Sequence, residues 1–167
     1  MSSAAMAEPI IDSREFRDTL GRFATGVTII TAREETGEYR GLTANSFSSL
    51  SLDPPLVLWS LGKSSQSHEA FCNSGNFAIN VLAADQRELC KQFTRKDIDR
   101  FQGVELIEGV TGAPLIPGSL AWFECTLEHA YDGGDHTILV GRVVRFAPGE
   151  GAPLIFYKGD FWDSDGD

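Results

Sequence analysis

Three observations predict a mainly β fold, an antiparallel barrel of about six to eight strands with a few short helices. Residues 120–131 (LAWFECTLEHAY) alternate, with Ala121, Phe123, Cys125 and Leu127 on one face and Glu124, Thr126 and Glu128 on the other. The turn signal DGGD follows at 132–135, and residues 137–146 (TILVGRVVRF) supply the returning strand. A second hairpin stands near the start: the β-branched run VTIITA at 27–32, the turn EETGE at 34–38, and a partner strand from Tyr39. Long strands joined by tight turns suit an antiparallel barrel, whereas a parallel sheet needs a crossover between successive strands.

The remaining elements follow in order. Residues 1–12 lack the basic-then-apolar pattern of a secretory leader and read as a loose tail, so one domain is expected over 13–161. A helix is expected from Asp12 to Ala24, with Asp12 and Glu15 as a capping box and Phe16, Leu20 and Phe23 at helical spacing. Gly26 and Gly41 are candidate points of close backbone approach. Asp53-Pro54-Pro55 halts the preceding structure, because proline fixes φ and lacks an N–H, and residues 56–59 (LVLW) then read as a short buried strand. A short helix over 68–72 is entered from Ser64 or Ser65, and its His68 reads as a helix-surface residue.

Residues 77–82 (FAINVL) read as a buried strand interrupted by Asn80, and 84–93 as a helix with Asp85 and Glu88 as a second capping box. The mixed charges of 94–101 read as a solvated segment. Residues 103–118 hold four Gly and two Pro and read as an excursion over the barrel mouth or toward a partner subunit. Trp162 to Asp167 carries three Asp and reads as a solvated acidic tail.

Composition narrows the class without choosing a function. The 167 residues suffice for one domain with a real core, and 23% charged and 42% hydrophobic residues are ordinary for a globular protein. A net charge of −10 argues against nucleic acid and anionic membranes as general partners. Cys72, Cys90 and Cys125 are odd in number and lack CxxC spacing, which disfavours a disulfide framework or a zinc site and fits a reducing, cytoplasmic setting. No apolar run approaches the roughly 20 residues of a membrane span. No metal site is expected.

The chain is organised around residues 41–67, GLTANSFSSLSLDPPLVLWSLGKSSQS. Hydroxyls at Thr43, Ser46, Ser48, Ser49 and Ser51 are interleaved with Leu42, Ala44, Phe47, Leu50 and Leu52. A solvated turn has no need of that pattern; a strand lining a partly polar cleft has. A second small-polar loop, 62–67, carries Lys63 beyond the 56–59 strand. Neutral hydroxyls, backbone N–H groups and one ammonium converging there suit a phosphate ester. Neither a GxGxxG nor a GxxxxGK[ST] loop occurs, which removes the Rossmann and P-loop folds.

Four segments in this order, TANSFSSLSLDPPLVLWSL, NFAINVLA, GGDHTILVGRV and LIFYKGDF, resemble the flavin reductase-like, FMN-binding split-barrel family. More narrowly they resemble the small reductase components of two-component flavin-dependent monooxygenases. The resemblance runs from about Phe16 to Phe161. It implies an antiparallel split barrel that passes hydride from NADH or NADPH to FMN or FAD and hands the reduced flavin to a separate oxygenase. It also implies a homodimer with the flavin near the subunit interface.

By the resemblance, Thr43, Ala44, Asn45, Ser46, Phe47, Ser48 and Ser49 match the flavin-contacting motif, with Asn45 along the isoalloxazine edge and Ser48 and Ser49 toward the ribityl phosphate. Lys63, Ser64, Ser65, Gln66 and Ser67 match positions that hold the phosphate or its neighbour. Phe93 and Arg95 match a segment that reaches the cofactor's outer end; the bland alternative for Arg95 and Lys96 is a surface salt-bridge patch. His136 matches a Gly-Asp-His loop whose His faces the nicotinamide or flavin ring, with Asp135 fixing its tautomer. The alternative is an imidazole in water. Tyr157 matches an aromatic near the nicotinamide, against the alternative of a core tyrosine. No nucleophile–His–acid set is expected, because both reactive centres belong to cofactors. Two other readings stay open: a flavin or heme carrier or sensor without turnover, and a reductase of another acceptor, such as a corrinoid or a metal chelate.

Overall fold

A computed structural model describes residues 8–163. The expectations for residues 1–7 and 164–167 lie outside the described residues. Twelve strands and three α-helices follow one another as α1 (Ser13–Leu20), β1 (Thr25–Gly26), β2 (Thr28–Arg33), β3 (Tyr39–Ala44), β4 (Ser48–Leu52), β5 (Pro55–Gly62), α2 (His68–Asn73), β6 (Asn76–Val81), α3 (Arg87–Gln92), β7 (Ile107–Glu108), β8 (Pro114–Leu115), β9 (Ala121–Gly133), β10 (His136–Pro148), β11 (Ile155–Tyr157) and β12 (Asp160–Trp162).

Seven of these strands form one antiparallel sheet in the order β3-β2-β6-β9-β10-β5-β4. β3 and β4 are consecutive in the chain yet hold its two ends, joined only through residues 45–47. From Ala44 to Ser48 the chain can reach about 14 Å at ~3.5 Å per residue. A flat sheet of this many strands, spaced about 4.8 Å apart, would hold its edges roughly 29 Å apart. The sheet therefore curls until its edges nearly meet, and the unpaired β3–β4 seam is the split of the barrel.

Alternation along the strands sends one set of side chains inward. Ile30, Val57, Trp59, Leu61, Phe77, Ile79, Cys125 and Leu139 are buried together, and Phe71 of α2 joins them. Trp59 meets Phe71 and Phe77 edge-on, with ring centroids 5.2 and 5.9 Å apart. A second cluster, Val27, Ile29, Leu82, Cys90, Phe93, Ile116 and Leu154, packs α3 and the later loops against the barrel. Asn80 is fully buried but satisfied: its Nδ2 donates to Ile29 O (3.1 Å) and its Oδ1 accepts from Ile116 N (2.9 Å).

The 103–118 excursion packs back on its own chain, with Val104, Leu106 and Ile116 joining the second apolar cluster. It forms the β7–β8 ribbon and lies on the outer faces of β2 and β6, where Thr31 Oγ1 donates to Pro114 O at 2.6 Å. This ribbon also covers Glu124, on the polar face of β9. The carboxylate is fully buried, and its Oε1 accepts from Thr111 N (3.0 Å) and Thr111 Oγ1 (3.1 Å).

Helix α1 is shorter than the 12–24 expectation. Asp12 does cap it, accepting from Arg14 N (3.0 Å) and Glu15 N (2.8 Å), but no residue of the helix is buried. Before α3, the cap departs from the Asp85–Glu88 expectation: Gln86 Oε1 takes the Ala83 N–H at 2.9 Å, and a 3-10 turn over Ala84–Gln86 precedes the α-helix. Of the two flagged glycines, only Gly41 is a close approach: a Cβ there would lie 2.6 Å from Phe93 and 2.8 Å from Phe101, whereas Gly26 has open space. Of the expected acidic tail over 162–167, only the first two residues are described. Trp162 pairs with Ile155 in β12, and Asp163 ion-pairs with Arg87 at 3.3 Å.

Candidate functional site

Where β3 ends and β5 ends, at the same rim of the barrel, a cleft of about 400 Å³ opens. Thr43, Ala44, Asn45 and Ser46 form one wall, and Ser60, Leu61, Gly62 and Ser65 another; Phe93, Thr94, Arg100 and His136 complete it. The β10–β5 register explains why a residue 90 positions away joins the Ser/Thr stretch: His136 pairs with Gly62. A second cleft of about 450 Å³ continues from the first, sharing Gly62, Ser65 and Arg100, and carries Ser64, Gln66 and Ser67 on its wall.

The structure thus brings together Thr43, Ala44, Asn45, Ser46, Ser65, Phe93 and His136 in one cleft and Ser64, Gln66 and Ser67 in the next. Six expected residues line neither. Phe47 turns inward and stacks on Phe123 (5.7 Å). Ser48 and Ser49 are exposed on edge strand β4, where Ser48 Oγ donates to Ser49 O at 3.0 Å. Lys63 is drawn to Asp132 across the hairpin. Arg95 is exposed and contributes its carbonyl to Arg100 Nε (2.7 Å). Tyr157 lies in the short β11–β12 hairpin with the Lys158 ammonium 5.2 Å from its ring centre.

Some cleft hydroxyls are already committed. Thr43 Oγ1 donates to Cys90 O (2.7 Å), and Ser46 Oγ donates to Ser60 O (3.1 Å) while accepting from Ser60 N (2.9 Å). These groups shape the wall. The groups left for a ligand include backbone, the Asn45 carboxamide, the Ser60 hydroxyl, Arg100 and the His136 Nε2.

Arg100 is the residue that sequence reasoning missed. Its Nε donates to Arg95 O and its Nη1 to Gly41 O, both at 2.7 Å, which fixes the guanidinium plane and leaves further N–H donors. It has no carboxylate partner among the described residues, and burial pulls its pKa down. A part-buried cation without an acid is an anion site in waiting. The signal was weak: Arg100 lies in the mixed-charge run 94–101, which reads as solvated.

His136 donates its Nδ1–H to Asp135 Oδ1 at 2.7 Å, and this hydrogen bond holds the Asp135 carboxyl below its ordinary range. The pair orients the ring and turns Nε2 toward Gly62 at the cleft. His68 instead bonds Thr137 Oγ1 at 2.9 Å, tying α2 to β10. The thiols are not reactive groups of the site. All three are free, burial raises each of their pKa values, and Cys125 is pushed up to about 12.

The donor set fits a flavin: a carboxamide and strand-end backbone for a planar polar edge, and an unpaired guanidinium for a phosphate. When bound, the flavin supplies the hydride acceptor and a nicotinamide the donor. The residues of this chain would orient the rings, exclude water and, through Arg100, hold negative charge.

A seven-stranded split barrel with a nucleotide-type cleft at its rim defines the class. The flavin reductase like domain matches residues 20–163, and the chain belongs to that family. It is 51% identical over 150 residues to the FMN reductase (NADH) of Agrobacterium fabrum, covering 90% of this chain and 85% of that protein. It is 45% identical over 158 residues, 94% of this chain and 80% of the other, to a Rhodococcus jostii flavin-dependent monooxygenase reductase subunit. Among solved structures, the Streptomyces globisporus NADH:FAD oxidoreductase, in complex with NAD and FAD fragments, superposes with a TM-score of 0.86 at 38% identity, covering 96% of this chain and all of that one (100%).

Proposed function

We propose that this protein is an NADH:flavin oxidoreductase that reduces FMN or FAD and releases the reduced flavin to a separate monooxygenase. The observation that carries the reading is the joining of Asn45, Arg100 and His136 in one cleft of a flavin reductase-family barrel. Relatives that name a nicotinamide name NADH, and relatives described as reductase subunits imply an oxygenase partner of their own. The carrier or sensor reading is disfavoured by the half-exposed His136 side chain (48%), which leaves the hairpin side of the cleft open to a second substrate.

A second copy of the chain fits the exposed apolar side chains of α1 and its flanks: Phe16, Leu20 and Phe23 are 54%, 59% and 80% exposed. A homodimer covering them is the expected assembly, and sedimentation at micromolar concentration tests it. The three free thiols suit a cytoplasmic setting. The activity is tested by steady-state turnover of NADH and NADPH against riboflavin, FMN and FAD. Turnover with NADH supports the reading; failure of all six combinations by folded protein sinks it.

A further inference from the structure

His68 is no ordinary helix-surface residue. Helix α2 is short and packs on the barrel through Phe71, which is fully buried against Trp59. Apolar burial is non-directional, so Phe71 alone would let the helix pivot. His68 supplies the direction. Its Nε2 shares a hydrogen bond with Thr137 Oγ1 at 2.9 Å, and lies 3.8 Å from Cys72 Sγ on the next turn. Thr137 is buried on β10, and His68 is the partner of its hydroxyl. Left unpaired there, that hydroxyl would carry a desolvation cost. Among the described residues, no other side-chain hydrogen bond joins residues 64–73 to β10.

The same residue fixes the loop that walls the first cleft. His68 N donates to Ser65 O (3.1 Å), Ser67 N to Ser65 Oγ (3.2 Å) and Ser65 N to Gly62 O (3.0 Å). Every polar group of Ser65, a cleft residue, is thereby engaged. At its other end the loop is held by Lys63 N, which donates to Asp135 O at 2.9 Å. The exposed Lys63–Asp132 ion pair adds little to that bond. The loop is thus tied to the hairpin on either side of His136, at the residue before it and at the residue after it. Successive strand residues face opposite sides, so Thr137 receives His68 from behind while His136 lines the cleft.

We infer that His68 is a positioning residue for hydride transfer: by clamping the 62–67 loop to β10 beside His136, it sets the spacing of the walls between which the reacting rings must stack. This rests on the flavin reduction proposed above. A misplacement of about 1 Å can cost roughly a hundredfold in rate, so the clamp is felt at saturating substrate more than in binding.

Wild type is compared with His68→Leu, Thr137→Val, the double variant and His68→Gln, whose carboxamide can restore a polar contact at the Nε2 position. In the ligand-free chain, amide hydrogen exchange of residues 63–68 is expected to quicken by about tenfold in His68→Leu and Thr137→Val alike. In single-turnover reduction of bound flavin, the rate at saturating NADH is expected to fall about tenfold in each, with riboflavin affinity within about threefold of wild type. The double variant should be no slower than the slower single variant, because both changes remove one bond. His68→Gln should keep the rate within about threefold of wild type. Thr137→Val exchanges a hydroxyl for a methyl of similar size and serves by itself should His68→Leu not fold.

A lower melting point with unchanged loop exchange and an unchanged saturated rate would leave His68 a structural residue and overturn the inference. Losses that multiply in the double variant would overturn it too, since His68 would then not act through Thr137. Absence of flavin bleaching by NADH in the wild type is a separate result, which removes the reductase reading and the positioning role with it, whatever the exchange shows.

Discussion

Ser46 and Ser60 are locked by a reciprocal pair of hydrogen bonds, Ser46 Oγ to Ser60 O at 3.1 Å and Ser60 N to Ser46 Oγ at 2.9 Å. One hydroxyl thereby pins the 45–47 link to β5 beside the split in the barrel and sets the width of the first cleft. Ser46→Ala removes both bonds and leaves the Ser60 N–H without that acceptor. Each is worth about 0.5–1.5 kcal/mol net, so a loss of about 1–3 kcal/mol is expected. Thermal melting should fall by about 2–4 °C per kcal/mol, and riboflavin affinity should fall with it. An unchanged melting point would show that the link is held by packing alone.

Arg100 is a part-buried cation lining the cleft, whereas Ser48 and Ser49 are exposed on edge strand β4. Arg100→Met keeps much of the stem and removes the cation. Hydrogen bonds to charged groups contribute about 1.5–3 kcal/mol, so FMN affinity should drop by roughly tenfold to a hundredfold. Riboflavin, without a phosphate, should change little. The Ser48→Ala, Ser49→Ala double variant should bind FMN within about threefold of wild type, a difference under 1 kcal/mol. A large FMN-specific loss in the serine variant would return the phosphate to β4.

The Asp135–His136 pair predicts a division of labour. His136→Ala should leave riboflavin affinity near wild type and lower kcat/KM for NADH by about tenfold to a hundredfold, or 1.4–2.7 kcal/mol. Asp135→Asn should act in the same direction but more weakly, because it loosens the ring without removing it. Complete loss of reduction in His136→Ala would make the imidazole a catalytic proton donor instead. Unaltered NADH kinetics would leave it an ordinary hairpin residue.

Two glycines give a paired test of packing. Gly41→Ala pushes a methyl into Phe93 and Phe101, the rings behind the second cleft, and should cost about 1–3 kcal/mol as an overpacked site. Gly26→Ala meets nothing within 4 Å and has an ordinary backbone φ, so its melting point should stay close to wild type. Chemical denaturation of both variants decides it. Equal destabilisation would mean that β1 is covered by something other than this chain's described residues.

Alternation and turn chemistry made most of the barrel legible in the sequence. The 120–131 pattern and the DGGD turn correspond to β9, β10 and their tight hairpin, and VTIITA with EETGE to β2 and β3. The route of closure was not legible, since a link as short as TANSFSSL reads equally as a hairpin between neighbouring strands, and only the strand order places β3 and β4 at opposite edges of the sheet. Periodicity misled at α1, where Phe16, Leu20 and Phe23 keep helical spacing but are exposed. A single chain's pattern records that a face is apolar, not which chain covers it. The capping box before α3 was misplaced by two residues because Gln86, a long side chain, reaches back to the Ala83 N–H.

In the site, local sequence found the wall and missed the charge. Residues 43–46 and 64–67 are contiguous segments, so their joint placement follows from one strand and two loops. Arg100 reaches the cleft only because its guanidinium bonds Gly41 O and Arg95 O across 59 and 5 positions, a tertiary fact with no local signature. Lys63, the one basic residue within the Ser-rich loop, reads as the phosphate ligand until Asp132 is seen beside it.

The central claim is that this cleft holds a flavin in reach of a nicotinamide, and anaerobic stopped-flow mixing tests it most directly. Protein preloaded with stoichiometric flavin is mixed with NADH, and bleaching of the flavin absorbance is followed in a single turnover. The account predicts reduction that saturates with NADH, is slowed in His136→Ala, and is followed by release of the reduced flavin. Tight flavin binding with no bleaching at any NADH concentration would contradict it and leave a carrier or sensor.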